Sequence, residues 1–298
     1  MIPAVHLDHA TRRFGDVLAL DDVSLDIAPG ELVGVLGPNG AGKSTMLGLV
    51  TGQRAPTSGT VRVLGQDPRH PSTRVHLGVT PQDTGLPPTL RVAEVVAFTG
   101  SHYPDPLDTD ELLERFGLTA LARRQCGGLS GGQQRRLAVA LSMVGRPDVV
   151  LLDEPTTGLD VDARTALWDA IRTYREDGGT VVLTSHYLEE VQQLAERVVV
   201  VAGGRVLVDD TVDAVIARVD VDRVSMRCTD RAVADLASVT SATWTGERVE
   251  VLTGDADAFV RALVTSGAAF SHLRVQGASL EDAFTQLTHR TPNEEVSA

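Results

Sequence analysis

Lysine, cysteine, aromatic side chains and long apolar runs are all scarce in this sequence. Among 298 residues there are 2 cysteines, Cys126 and Cys228, and aromatic residues make up 4%. The cysteines form no Cys-x-x-Cys pair, so we expect free thiols in a reducing compartment rather than a disulfide framework. No apolar run approaches the roughly 18 residues that suggest a membrane helix. The sequence therefore predicts a chain without a membrane span.

Basic residues are also fewer than acidic residues. The chain has 27 basic and 40 acidic residues, which gives a formal net charge of −13. Because nucleic acids and anionic lipid headgroups repel such a chain, we expect no nucleic-acid partner. The opening residues, MIPAVHLDHATRR, contain no basic stretch followed by an apolar one, so we expect no secretion signal. These features predict a cytoplasmic protein.

Lys43 is the single lysine of the chain, and the other 26 of the 27 basic residues are arginine. Lysine at one position in this background suggests that the position requires a compact ammonium group, which a planar guanidinium does not replace. Lys43 is therefore a candidate functional residue. Otherwise the composition, with 42% hydrophobic and 22% charged residues, is that of a globular protein with a sizeable core.

The order of apolar patterns predicts two domains. In residues 1–218, short strands alternate with helices, which indicates an α/β domain with a parallel sheet. Within it, residues from about 86 to 145 form a predicted helical insertion, with helical spacing in DELLERFGLTALARRQ. Residues 219–298 follow a βαββαβ order with a final helix, typical of a small ferredoxin-like α+β domain.

The segment GPNGAGKS, residues 37–44, matches the pattern GxxxxGK[ST] between a predicted strand and a predicted helix. In this pattern backbone N–H groups converge on phosphate oxygens, Lys43 reaches the β- and γ-phosphates, and Ser44 ligates Mg²⁺. The alternative is a glycine-rich turn without a ligand. The candidate nucleotide-binding residues of this phosphate loop are Gly37, Asn39, Gly40, Ala41, Gly42, Lys43, Ser44 and Thr45.

A pair of carboxylates ends the apolar strand VVLLDE, residues 149–154. Beside a phosphate loop, Asp153 is expected to hold Mg²⁺, and Glu154 is expected to orient or deprotonate a water molecule near the γ-phosphate. The alternative is an acidic pair that caps the next helix.

The segment LSGGQ, residues 129–133, opens a predicted helix with Ser130 as its N-cap. Two glycines, Gly131 and Gly132, allow close backbone approach, so this is a second helix terminus suited to an anion. One nucleotide needs one phosphate loop, and a second anion site is explained if it receives the γ-phosphate held by a partner copy. With these segments the chain resembles the nucleotide-binding subunits of ATP-binding cassette (ABC) transporters over roughly residues 5–217.

The resemblance implies a P-loop ATPase core with a parallel sheet, an antiparallel β subdomain and a helical insertion. It also implies roles for four further residues. Phe14 would stack on adenine, with a core phenylalanine as the alternative. Gln82 would touch Mg²⁺ or the attacking water, Asp160 would cross a dimer interface, and His186 would contact the γ-phosphate. The signature segment, residues 129–133, would bind ATP from the partner copy through Ser130, Gly131, Gly132 and Gln133.

The same resemblance implies ATP and Mg²⁺ as cofactors, with Ser44, Gln82 and Asp153 as the metal ligands. It implies a second copy of the chain as partner in an ATP-dependent head-to-tail dimer. It further implies a separate polytopic membrane subunit that docks on the Gln82 loop and on residues 83–125, which would hold the protein at the inner face of the membrane.

The ending ASLEDAFTQLTHR resembles that of the type-2 exporter group, which includes the daunorubicin-resistance type. This favours an ATPase subunit that energises export. Two alternatives remain: a cassette ATPase that acts on ribosomes or DNA, and a small-molecule kinase with the same phosphate loop. The first usually carries two cassettes or long coiled coils, and the second has no reason to contain LSGGQ.

Overall fold

A computed structural model of the chain describes residues 1–80, 85–219 and 221–289. Its contacts separate two units, Met1–Thr211 and a second unit that starts at Val212. The sequence places the boundary after residue 218, so the two divisions differ by one short helix. No helix in the described ranges combines the length and the apolar character that a bilayer crossing requires.

The strands of the first unit build two separate sheets. Their bounds are β1 (Val5–Phe14), β2 (Val17–Ile27), β3 (Leu32–Leu36), β4 (Ser58–Val63), β5 (Leu77–Thr80), β6 (Val149–Asp153), β7 (Thr180–Thr184), β8 (Arg197–Ala202) and β9 (Arg205–Thr211). The larger sheet has the order β5-β6-β7-β3-β8-β9, and all of its neighbours are parallel except β8 and β9. The smaller sheet is antiparallel, with the order β2-β1-β4.

The helices of this unit follow the predicted alternation with the strands. They are α1 (Lys43–Val50), α2 (Pro71–Arg74), α3 (Val92–Gly100), α4 (Thr109–Arg115), α5 (Gly131–Met143), α6 (Val161–Glu176) and α7 (Leu188–Leu194). Strands β3 and β7 are buried along their whole length, which explains their continuous apolar sequences. Leu20 of β2, Val35 of β3 and Leu49 of α1 share one core that joins the two sheets.

The helical insertion contains shorter helices than the sequence predicts. The spacing in DELLERFGLTALARRQ predicts one long helix, but α4 ends at Arg115. Gly117 follows with a φ of +61°, a left-handed conformation that terminates a helix. After it, residues 119–121 and 126–128 form only single 3₁₀ turns.

The second unit contains α8 (Val212–Ala217), β10 (Asp222–Cys228), β11 (Val239–Thr245), β12 (Arg248–Thr253), α9 (Ala256–Ser266), β13 (Phe270–Gln276) and α10 (Leu280–His289). The antiparallel strand order is β11-β12-β10-β13, the arrangement of a split βαβ sheet. The first helix of the predicted βαββαβ order does not form, because the segment after β10 contains only a 3₁₀ turn at residues 231–235. Ser238 then takes a φ of +70°, which no helix accommodates.

Candidate functional site

The phosphate loop lies between the end of β3 and the start of α1. Gly42 has a φ of +108°, and a Cβ there would lie 2.6 Å from the carbonyl oxygen of Ala19. A Cβ on Gly37 would lie 2.2 Å from the carbonyl oxygen of Val201. Both positions therefore require glycine, because the loop passes against backbone on each side. The first turn of α1 lines the resulting cleft with its unpaired backbone donors.

Lys43 spans the phosphate loop from the first residue of α1. Its Nζ donates to the carbonyl oxygens of Gly37 at 2.6 Å and Pro38 at 3.1 Å. Burial lowers the pKa of Lys43, while the carboxylates of Glu154 and Asp153 act in the opposite direction. The ammonium is thus held across the loop, facing the carboxylates at the end of β6.

Asp153 and Glu154 line the same cleft as the phosphate loop. The Thr184 hydroxyl donates to Asp153, and the backbone N–H of Glu154 donates to the Thr184 carbonyl at 2.9 Å. Glu154 has a φ of +51°, an uncommon conformation for a residue other than glycine. The cap of the next helix is Asp160, whose carboxylate accepts from the Ala163 N–H at 2.8 Å. The alternative of an acidic capping pair is therefore wrong.

The oxygen donors of the cleft fit a magnesium ion. Ser44 and Asp153 both line it, and hydroxyl and carboxylate oxygens are hard ligands of the kind that Mg²⁺ takes. The third predicted ligand, Gln82, lies outside the described residues.

His186 joins this group through Glu154. Its Nδ1 lies 3.3 Å from Oε2 of Glu154, and both side chains are partly exposed. The His186 ring also packs against Tyr187, with 4.0 Å between ring centroids. The structure thus brings together the phosphate loop, the two carboxylates and the histidine that follows β7.

The signature segment does not line this cleft. Ser130 caps α5 as predicted, since its hydroxyl accepts from the Gln133 N–H at 3.3 Å and the Gln133 side chain accepts from the Ser130 N–H at 3.0 Å. A Cβ on Gly131 would meet no atom within 4 Å, whereas one on Gly132 would lie 3.1 Å from Leu159. Gly132 therefore packs beside the loop that ends at Asp160, and Gly131 faces open space.

Phe14 is also absent from the residues that line the cleft. It ends β1 half-buried, and the guanidinium carbon atoms of Arg12 and Arg54 lie 4.4 and 5.0 Å from its ring centroid. Because β1 is the central strand of its sheet and Phe14 is not part of the apolar core, the alternative of a core phenylalanine on an edge strand is not supported.

Arg135 is a site-supporting residue that the sequence reasoning missed. It lies on α5, is only 7% exposed, and donates through Nη2 to the carbonyl oxygens of Asp153 and, at 3.0 Å, Glu154. The helix that presents Ser130 is therefore tied directly to the backbone of Glu154. The sequence shows an arginine in a predicted helix. It does not show that this arginine is buried, because its partners lie on another element.

Glu190 is a second missed residue, with 1% of its surface exposed. Its carboxylate accepts from the Ser185 hydroxyl at 2.6 Å and from the Trp168 indole N–H at 3.3 Å. The Ser185 hydroxyl in turn accepts from the Tyr187 N–H at 3.0 Å. Burial raises the pKa of Glu190. This network holds the backbone on both sides of His186.

Comparison with known proteins agrees with this fold. The sequence pattern of the ABC transporter family matches residues 20–157. The daunorubicin resistance ATP-binding protein DrrA3 of Streptomyces coeruleorubidus is 36% identical over 307 residues, covering 96% of each chain. The Nod factor export ATP-binding protein I of Burkholderia lata is 34% identical over 304 residues, covering 97% of this chain and 99% of its own.

Solved structures give the same result. A dimeric ATP-binding cassette in a post-hydrolysis state, bound to ADP and Pi, superposes with a TM-score of 0.63 at 28% identity and covers 70% of this chain and 98% of its own. The ATP-binding subunit of an ABC transporter shares the fold, with a TM-score of 0.66 at 23% identity over 72% of this chain and 92% of its own.

The cleft and the fold together define an ATP-hydrolysing cassette. The chain belongs to the ABC transporter family, as one of its ATP-binding subunits. It binds and hydrolyses ATP, and subunits of this class dimerise and work with membrane subunits.

Replacing Arg135 with methionine tests its hold on Glu154. We expect the variant to lose about 1–3 kcal/mol of unfolding free energy, because two backbone carbonyl oxygens lose a buried donor. ATP turnover should fall as well, since the left-handed backbone of Glu154 loses its support. Urea unfolding and steady-state ATP hydrolysis measure both effects. Arg136→Met, at the next position of α5, is the control, and equal losses in the two variants would contradict the assignment.

Glu190→Gln is expected to change the pH dependence of stability. Burial raises the pKa of Glu190 above its ordinary value of 4.5. The contribution of Glu190 to the unfolding free energy is therefore most favourable below pH 4.5, and it falls as the pH rises through the folded-state pKa. Glutamine stays neutral, so the variant should gain stability relative to the wild type across that rise. Urea unfolding at a series of pH values measures the difference.

The matched control is Glu189→Gln, at the neighbouring exposed position of α7. It removes the same charge from the same helix at an exposed position, so it should not gain stability with rising pH as Glu190→Gln does. A parallel pH trend in both variants would show that burial of Glu190 is not the cause.

Proposed function

We propose that two copies of this chain close head to tail over two ATP molecules, and that closure, hydrolysis and reopening drive export through a separate membrane subunit. Each ATP lies between the phosphate loop of one copy and the signature segment of the other. The chain is held at the inner face of the membrane by its contact with the membrane subunit.

The observation that carries this proposal is the placement of the two helix termini suited to anions. The N-terminus of α1 faces the cleft, whereas Ser130 and Gly131 at the start of α5 do not line it. Ser130 is exposed, and Gly131 lacks any neighbour that would exclude a side chain. A glycine that no intrasubunit contact requires is explained by the close approach of a phosphate group bound to the second copy.

Within each site, the phosphate loop binds the β- and γ-phosphates through backbone N–H groups and Lys43. Ser44 and Asp153 hold Mg²⁺, with Gln82 as the further predicted ligand. When bound, the cation neutralises charge on the phosphate oxygens. Phe14 is assigned to the adenine base on the resemblance alone, since its ring lies beside Arg12 and Arg54 rather than in the cleft.

Glu154 acts on the attacking water as general base or as its orienting group. Its position in the cleft and the proximity of its Oε2 to His186, 3.3 Å away, support this role. His186 contacts the γ-phosphate in the proposed site, and Asp160 crosses the dimer interface beside Gly132.

The membrane subunit docks on the helical insertion. Support comes from a groove of about 230 Å³ lined by Leu86, Thr99, Tyr103, Leu141 and other residues next to β5. Phe98 of α3 is 62% exposed, which is unusual for a large apolar side chain. An apolar segment of a membrane subunit would cover both features.

Export as the direction of transport rests on the relatives. Those with nearly complete coverage are named for daunorubicin resistance and for Nod factor export.

Glu154→Gln is expected to lower ATP turnover by about 100-fold or more, because the water loses its base. The same variant should accumulate as a dimer with Mg·ATP, because the closed dimer no longer reopens through ATP hydrolysis. Steady-state assays and light scattering measure the two effects. Glu176→Gln, at the exposed end of α6, is the control. A solitary Glu154→Gln chain at saturating Mg·ATP would contradict the proposed dimer.

Mixing two inactive variants tests whether each site is shared between copies. Lys43→Ala disables the phosphate loop, and Ser130→Arg blocks the signature segment with a bulky side chain. In a mixed dimer of the proposed kind, the intact loop of one copy meets the intact signature segment of the other. The mixture should therefore regain ATP hydrolysis that neither variant has alone.

If each copy instead used its own signature segment, every site in the mixture would carry one defect. Activity would then stay at the level of the separate variants, and the head-to-tail arrangement would be wrong. The double variant Lys43→Ala/Ser130→Arg, mixed with itself, gives the baseline for this measurement.

A further inference from the structure

The sheet of the second unit has one apolar face and one polar face. Val224 and Met226 of β10 and Val249 and Val251 of β12 are buried in a core with Phe259 of α9. Because side chains alternate along a strand, the residues between them lie on the opposite face. That face carries a concentration of arginine, although residues 219–298 contain only 7 basic and 12 acidic residues.

One end of the polar face is electrically neutralised. Arg223, at the start of β10, forms ion pairs with Glu250 of β12 and, at 2.6 Å, with Asp282 of α10. Each of its partners is on a neighbouring element, so this arginine has a structural role.

The other end of the polar face is different. Three arginines, Arg227, Arg248 and Arg274, line a cleft of about 400 Å³ together with His272, Thr245 and Glu247. The arginine and histidine side chains there are exposed. Within residues 1–80, 85–219 and 221–289, none of these arginines forms an ion pair with a carboxylate.

The arginines are also placed where they repel one another. Arg227 of β10 lies directly opposite Arg248 of β12 in the antiparallel register. On the other side of β10, Arg274 of β13 lies opposite Ser225, two residues from Arg227. Like charges directly opposite in a sheet are destabilising, so this arrangement costs stability unless an anion neutralises it.

We propose that this arginine cleft, lined by Arg227, Arg248, Arg274 and His272, binds a ligand through a phosphate or diphosphate group. Planar guanidinium groups donate in pairs to phosphate oxygens, and three of them converge on one concave site. The site is independent of the phosphate loop and belongs to the second unit alone.

The charge of the chain restricts the ligand to a small one. With a net charge of −13, the chain repels extended polyanions such as nucleic acids. A compact phosphate group senses mainly the local field, because screening limits the reach of distant charges to about 8 Å at physiological salt. A phosphorylated small molecule and the headgroup of a phospholipid both meet this requirement.

Titration of the full chain with pyrophosphate tests the site directly. Lys43→Ala is used as the background, so that the phosphate loop does not compete. We expect saturable binding by calorimetry, and Arg227→Gln/Arg248→Gln should weaken it by about tenfold or more for each guanidinium removed. Arg261→Gln, an exposed position on α9, is the matched control and should bind as the background does.

A thermal measurement separates binding from misfolding. Without ligand, Arg227→Gln/Arg248→Gln should melt no lower than the background, because it removes a repulsive pair. Pyrophosphate should raise the melting temperature of the background and of the Arg261→Gln variant only. A double variant that melts lower without ligand would contradict the claim that this pair costs stability.

A second arm distinguishes the source of the phosphate. Vesicles of phosphatidylcholine with and without phosphatidic acid are sedimented with the same proteins. Arginine-dependent sedimentation with phosphatidic acid assigns the site to a lipid headgroup, and binding of pyrophosphate without sedimentation assigns it to a soluble ligand. If neither probe binds, or if the double variant binds as well as the Arg261→Gln control, the proposal is wrong.

Discussion

The close approach of backbone at Gly37 and Gly42 is the constraint on which the ATP site depends. Gly37 passes against the carbonyl oxygen of Val201 in the parallel sheet, and Gly42 passes against that of Ala19 in the antiparallel sheet. The phosphate loop is therefore fixed by both sheets at once. Leu20 and Val35, from the two sheets, share the core with Leu49 of α1, so packing of that core sets the position of the loop.

The site extends from this loop through a chain of specific contacts. Thr184 holds both Asp153 and Glu154, and Arg135 binds the carbonyl oxygens of the same two residues from α5. Because α5 also presents Ser130, Arg135 links the helix of the signature segment to the backbone of Glu154 within one chain. In the proposed dimer this contact connects the two ATP sites, since Ser130 serves the second copy and Glu154 serves its own.

Local patterns were enough to predict the phosphate loop, the strand that ends in Asp153 and the Ser130 cap. Each is specified by residues close together in sequence, where glycine, apolar alternation and capping chemistry act directly. The length of α4 and the absence of a helix after β10 were not predicted, because Gly117 and Ser238 override helical spacing with left-handed backbone. Arg135 and Glu190 were missed because their partners come from other elements.

Electrostatics explain why the proposed dimer needs its ligand. The N-terminus of α5 carries a partial positive charge of about half a unit, and it would face Lys43 and the N-terminus of α1 in the second copy. Without ATP these charges repel, and Gly131 presents only open backbone to that face. The γ-phosphate reverses the sign of the interaction, so ATP binds the closed state more tightly than the open one. Closure is then a population shift set by that difference in affinity, and loss of the γ-phosphate reverses it.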